Sequence, residues 1–273
     1  MMAVNAGGFL TGDVTRKPFD AHDKKYSGRR NGVMVEQRQT MPGANCLACP
    51  MRQHNEWRVL TEEEVKLLAQ TRKSRRYRAG ESIFSAGEPS HGIYCIVAGA
   101  AAMRQVDIEG NTVLLQISYP GETLGYRGVL LGQRRRFSAE ALGPSRICFI
   151  DQQVVKTLME RNAALSLQFL RRINNDLDDA HNKLVQNATL SNRGKFVHLL
   201  LNLMDRHGCA TPDGSHVIHL PISRRDMASM IGARHETLSR IISRMEEDGV
   251  AQFSGRTVCV NRPHSLMEEI RLS

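Results

Sequence analysis

No run of eighteen apolar residues occurs anywhere in the 273-residue chain, which excludes a membrane-spanning helix of ordinary length. The opening MMAVNAGGFLTGDVTRKPF lacks the apolar stretch and the ordering of a secretory signal, so a cytoplasmic location with no membrane partner is expected. Six cysteines scattered over this length do not make a secreted disulfide framework. Each is left to buried packing, metal ligation or redox chemistry. A Gly-rich phosphate loop, a nucleophile elbow and a paired metal-binding His motif are all missing, so an enzyme is not expected.

What is present is positive charge. Lysine and arginine outnumber the acids 37 to 28, a formal net charge of +9, which favours a polyanionic partner: nucleic acid or an anionic membrane. Much of the excess lies early, in Arg29, Arg30, Arg72, Lys73, Arg75, Arg76 and Arg78, whereas the C-terminal part is close to balanced. Contact with DNA would therefore depend on local placement. The length suits two domains, each able to bury a core.

Residues 1–44 carry no sustained apolar period and are expected to form a disordered basic tail. Thr61-x-x-Glu64 is a capping box that predicts a helix to Gln70. From Gly80 to Asp151, short β-rich runs punctuated by Gly80, Gly87, Gly99, Gly110 and Gly121 predict an antiparallel sandwich or barrel, with IYCIV at 93–97 and TVLLQISY at 112–119 as clear strands. A sensor domain over 45–160 follows. Beyond Asp151 the period becomes helical, and Leu170, Ile173, Leu177, Ala180, Leu184 and Asn187 fall in alternating steps of three and four. This predicts a dimerisation helix over 161–190; the alternative is an amphipathic helix lying on its own domain.

The segment 191–273 opens with a helix capped by Ser191 and ended by Gly208, then a strand, VIHL. In ISRRDMASMIGARHETLSRIISRMEEDG, Ser223 and Asp226 form a cap, Met227, Met230 and Ile231 are apolar at helical spacing, and Gly232 permits a turn. Leu238, Ile241, Ile242 and Met245 then face a core. This is the pattern of a helix-turn-helix. Its exposed face presents Arg234, His235, Glu236, Ser239 and Arg240, of which His235, Glu236, Ser239 and Arg240 are candidates to read base edges in double-stranded DNA. Ser223, Arg224, Arg225, Arg234, and Arg256 and Thr257 of a following hairpin wing are candidates for the phosphate backbone. An ordinary solvated helix face is the competing reading.

Over about residues 45–265 the chain resembles the CRP/FNR family, the cyclic-AMP receptor and fumarate-nitrate-reduction regulators. The resemblance is carried by the sensor glycines, by PGETLGY at 120–126, by the long helix and by ISRRDMASMIGARHETLSR. It implies an α+β fold with an N-terminal cupin-like β-roll sensor, a homodimer across the long helix and a C-terminal winged helix-turn-helix reading a palindrome. RNA polymerase would be a partner if the protein is an activator. Glu236, Ser239 and Arg240 resemble the Glu-x-x-Ser-Arg pattern of the FNR branch, which implies inverted repeats with TTGAT-like half-sites, His235 being a departure.

The resemblance argues against cyclic AMP, because the matching stretch reads Gly125-Tyr126-Arg127 and Arg136-Phe137-Ser138, without the ribose carboxylate. Arg136 remains able to meet an anion, and another small ligand or no effector stays open. Cys46, Cys49 and Cys148 match three of the four cluster-binding cysteines of FNR; Asn55 stands at the fourth, and the neighbouring His54 is a candidate replacement in an iron-sulfur site. A thiol switch or a zinc half-site completed by His54 or another protomer is equally compatible with one Cys-x-x-Cys. Cys95, Cys209 and Cys259 read as structural.

Overall fold

In the computed structural model the described residues are 46–212, 214–261, 263 and 266, and they belong to one compact unit. The expected tail at 1–44 lies outside them. Two short 3-10 turns, Pro50–His54 and Glu56–Val59, lead into α1 (Glu62–Thr71). The capping box at its start is formed: the Thr61 hydroxyl accepts from the Glu64 amide, and the Glu64 carboxylate accepts from the Thr61 amide at 2.8 Å.

The sensor is a roll of two four-stranded antiparallel sheets. One has the order β1 (Lys73–Tyr77), β8 (Ser145–Asp151), β3 (Gly92–Ala98), β6 (Thr123–Leu124); the other runs β2 (Ser82–Phe84), β7 (Ser138–Ala141), β4 (Ala101–Val106), β5 (Thr112–Ser118). At the corner between β3 and β4, Gly99 has φ +83°, and a Cβ there would lie 2.2 Å from the Ser145 hydroxyl. Only glycine turns the chain that closely. A short helix, α2 (Tyr126–Leu131), and α3 (Gln152–Arg161) flank the roll.

The long helix α4 (Ala163–Thr189) is fixed at its start by buried Leu165 and Phe169, the latter edge-on to Trp57 at 5.6 Å between ring centroids. Leu170, Ile173, Leu177 and Leu184 are exposed along the same helix, as are Ala180 and Asn187. The apolar seam is therefore not packed on its own roll, in contrast to the alternative that the sequence allows.

Beyond it come α5 (Asn192–His207), β9 (Gly208–Ala210), β10 (His216–His219), α6 (Arg224–Met230), α7 (His235–Glu247), β11 (Ala251–Ser254) and β12 (Thr257–Val260), with sheet order β11-β12-β10-β9. Phe196, Leu200, Ile218, Met227, Leu238, Ile242, Met245 and Val258 are buried in one cluster, and Ala102, Leu114 and Ile117 of the roll belong to it too. Arg104 of β4 bonds Glu140 at 2.7 Å and Asp226 of α6, while the Leu114 amide donates to the Ser229 hydroxyl at 2.9 Å. Roll and helix-turn-helix thus share one apolar cluster and one ion-pair network.

Candidate DNA-reading face and thiol-lined cavity

The two helices of the reader are set by local chemistry. Ser223 and Asp226 cap α6 reciprocally, Gly232 takes φ +66° in the turn, and α7 buries Leu238, Ile241, Ile242 and Met245. That commitment leaves His235, Glu236 and Arg240 exposed and Ser239 half-buried on one face, since residues three and four apart on a helix share a face. Arg234, at the N-cap of α7, and Arg225 are exposed; Arg224 is half-buried. The Ser223 hydroxyl is engaged in the cap, donating to Asp226 at 2.7 Å. In the wing, Gly255 has φ +58° and Arg256 is exposed, beside Thr257, whose hydroxyl is 3.5 Å from His219 Nδ1. The base-reading candidates therefore lie on α7, and the backbone candidates on α6, at the N-cap of α7 and on the wing hairpin.

The cysteines converge elsewhere. A cavity of about 250 Å³ is lined by Cys46, Cys49, Cys95 and Cys148, together with Arg52, Arg72, Arg146, Asn55 and Trp57. Cys46 and Cys49 are brought there by a turn in which the Cys49 amide donates to the Cys46 carbonyl, and Pro50 then starts the first 3-10 turn. Cys148 and Cys95 come from adjacent strands and stand directly opposite in the β3–β8 register. Arg72 Nη1 donates to Cys148 Sγ at 3.4 Å, and the indole Nε1 of Trp57 donates to Cys95 Sγ at 3.1 Å.

Burial pushes the Cys46 thiol up, with the Arg72 guanidinium opposing it; burial pushes Cys95 up as well. No carboxylate is among the described lining residues, and the buried Nε atoms of Arg52 and Arg72 have no hydrogen-bond partner among the described residues. Soft sulfur donors beside arginine cations suit a negatively charged, thiolate-bound group. His54 is not part of this lining: it is exposed and packs beside Gly121. His54, expected as a replacement ligand, is thus not among the residues that line this cavity. Asn55 does reach the cavity, although its Oδ1 accepts from the Trp57 amide at 3.1 Å.

Sequence reasoning missed Cys95, Arg52, Arg72 and Trp57. Strand parity was available as a signal, since Cys95 and Val97 share one side of β3 and Cys148 and Ile150 one side of β8, all four facing the cavity. The pairing of those two strands was not readable.

A β-roll joined through a long helix to a winged helix-turn-helix defines a DNA-binding transcription regulator. Residues 74–162 match the cyclic nucleotide-binding domain and residues 194–269 the Crp-like helix-turn-helix domain. The chain belongs to the CRP/FNR family, a family of transcription regulators and not of enzymes. It is similar to the nitrogen fixation regulation protein FixK of Bradyrhizobium diazoefficiens, 27% identical over 80% of this chain and 88% of that one. It is also similar to the transcriptional activator protein FnrL of Cereibacter sphaeroides, 25% identical over 82% and 91%. The solved structure of FixK2 from Bradyrhizobium japonicum shares the fold, with a TM-score of 0.64 and 22% identity, covering 72% of this chain and 96% of that one. No helix among the described residues is long and apolar enough to cross a membrane.

Proposed function

We propose that this regulator is a homodimer that reads inverted repeats with TTGAT-like half-sites and changes its DNA affinity with the redox state of the cysteine cavity. One observation carries the redox reading: Cys46, Cys49 and Cys148, the last a hundred residues away in sequence, line a single cation-rich cavity against the base of the long helix through Trp57 and Phe169. An iron-sulfur cluster bound there would supply one-electron, oxygen-labile chemistry. The exposed seam of α4 supports the dimer, and the exposed Glu236 and Arg240 support base reading.

Cyclic AMP is disfavoured as the effector. In the roll core the guanidinium of Arg135, only 6% exposed, lies 4.1 Å from the Phe84 ring centroid and 5.2 Å from that of Tyr94, and donates to the Gly92 carbonyl at 2.9 Å. A buried protein cation thus stands in the roll beside Gly125, in the stretch where the resemblance finds no ribose carboxylate. If the protein is an activator, RNA polymerase is the further partner.

The test is titration of the full-length protein onto a TTGAT inverted repeat and a scrambled duplex, without oxygen, in air, and with a thiol oxidant. Tighter binding to the repeat, with an affinity that changes on oxidation, is expected. Equal affinity for both duplexes refutes the half-site. An affinity indifferent to oxygen and oxidant refutes the redox reading while leaving the DNA-binding class intact.

A further inference from the structure

We infer that Cys95 supplies the fourth thiolate of a polynuclear iron-sulfur cluster in this cavity, in the place that sequence spacing assigns to Asn55 or His54. The inference rests on the redox reading of the same cavity. Its first support is position: Cys95 and Cys148 are cross-strand partners, and both line the cavity with Cys46 and Cys49, making four cysteines around one volume. Cys209 and Cys259 belong to the wing sheet.

The second support separates a cluster from a single ion. No three His, Cys, Asp or Glu side chains among the described residues are arranged to hold one metal ion. A structural zinc requires its donors to converge at about 2.3 Å on a common point. A four-iron cluster takes one thiolate per iron, so its ligands need only surround a volume. Four cysteines lining one cavity of about 250 Å³ suit the second requirement.

Charge is the third. Four thiolates on a cluster leave a net negative group, and the cavity supplies Arg52, Arg72 and Arg146 against it with no acid among the described lining residues. Buried donors without partners are costly, and two of these guanidiniums carry such an atom. Cluster and thiolate sulfurs would accept from them. Cys95 already receives the Trp57 indole N–H, and a donor on a ligand sulfur raises the reduction potential of the cluster it holds.

The experiment uses full-length protein purified without oxygen and reconstituted with ferrous iron, sulfide and thiol reductant. Iron, acid-labile sulfide and visible absorbance are measured per chain. Wild type is expected to hold about four irons, Cys95→Ser about three or fewer with a changed electron paramagnetic resonance signal, and His54→Ala the full complement. Trp57→Phe is expected to keep its iron and to lower the reduction potential.

Cys95→Ser with wild-type iron and spectrum overturns the assignment. If circular dichroism shows Cys95→Ser unfolded, the potential of Trp57→Phe decides, and an unchanged value overturns it. Iron-free wild type overturns the cluster altogether; a DNA affinity that still responds to oxidant in that protein would keep the redox reading, and an unresponsive one would remove both.

Discussion

Glu236 stands exposed in the first turn of α7, one helical turn from Arg240, with apolar neighbours holding the helix from behind. A carboxylate can accept from cytosine N4 and an arginine can bind guanine O6 and N7, so under the proposed function each contacts a base while Arg256 on the wing meets only phosphate. Glu236→Ala is expected to cost about 1–3 kcal/mol on the intact half-site and to relax preference at one base pair, with affinity for scrambled duplex unchanged. Arg256→Ala should instead weaken all duplexes alike and reduce the salt dependence by about one phosphate. Titrations on intact and singly substituted repeats separate the two. These residues were legible because a helix face is local, repeating every three or four positions. Cys95 was not, since its meaning depends on lying opposite Cys148, and strand pairing across fifty residues leaves no mark on either strand alone.

The long helix α4 carries an exposed apolar seam and a half-buried carboxylate. Its exposed Leu177 lies mid-seam, and Leu177→Glu is expected to convert the dimer to monomer in sedimentation, while a mass unchanged from wild type would remove the seam from the interface. One turn of the helix also faces the roll. Burial, reinforced by Asp179, Glu122 and Glu56 and opposed by Lys183, pushes the Asp176 carboxyl up to about 6, even with Arg172 Nε at 3.1 Å and the Tyr126 hydroxyl bonded to it. An unfolded aspartate ionises near 3.9, so between that value and about 6 the native state holds a proton the unfolded chain has released. The associated stability is full below the unfolded value and is lost as pH rises through the native one. Asp176→Asn is therefore expected to stabilise by about 1 kcal/mol at pH 7.5 and by nothing near pH 3, read as melting temperatures at both. Helices such as α1 and α6 were legible from their capping boxes. β1 was not: Lys-Ser-Arg-Arg-Tyr reads as a solvated charge run, and it is a strand because it closes the edge of β8.

For the whole molecule, the question is whether sensor and reader are one folding unit. Sequence periodicity divides them at the long helix, but the apolar cluster containing Met227, Ile231 and Val258 also contains Leu114 and Ile117 of the roll, and Arg104 ties β4 to α6 through Asp226. That contact spans 122 residues and could not be read from either segment. Burial raises the Asp226 carboxyl, yet bonds from Arg104 and Ser223 outweigh it and hold the group below the ordinary aspartate value. Its contribution is present above the unfolded value and is lost as pH falls through the native one. Removing Arg104 leaves Asp226 and Glu140 without their shared cation, both pair members of Asp226 being 16% exposed. Arg104→Ala is thus expected to cost about 2 kcal/mol at pH 7 and to split one calorimetric transition into two, the reader melting first. The same variant should differ less from wild type as pH falls and Asp226 takes up its proton. A single transition within a few tenths of a kcal/mol of wild type would mean that the apolar cluster alone couples the reader to the roll, and that any signal from the cysteine cavity must travel through α4 instead.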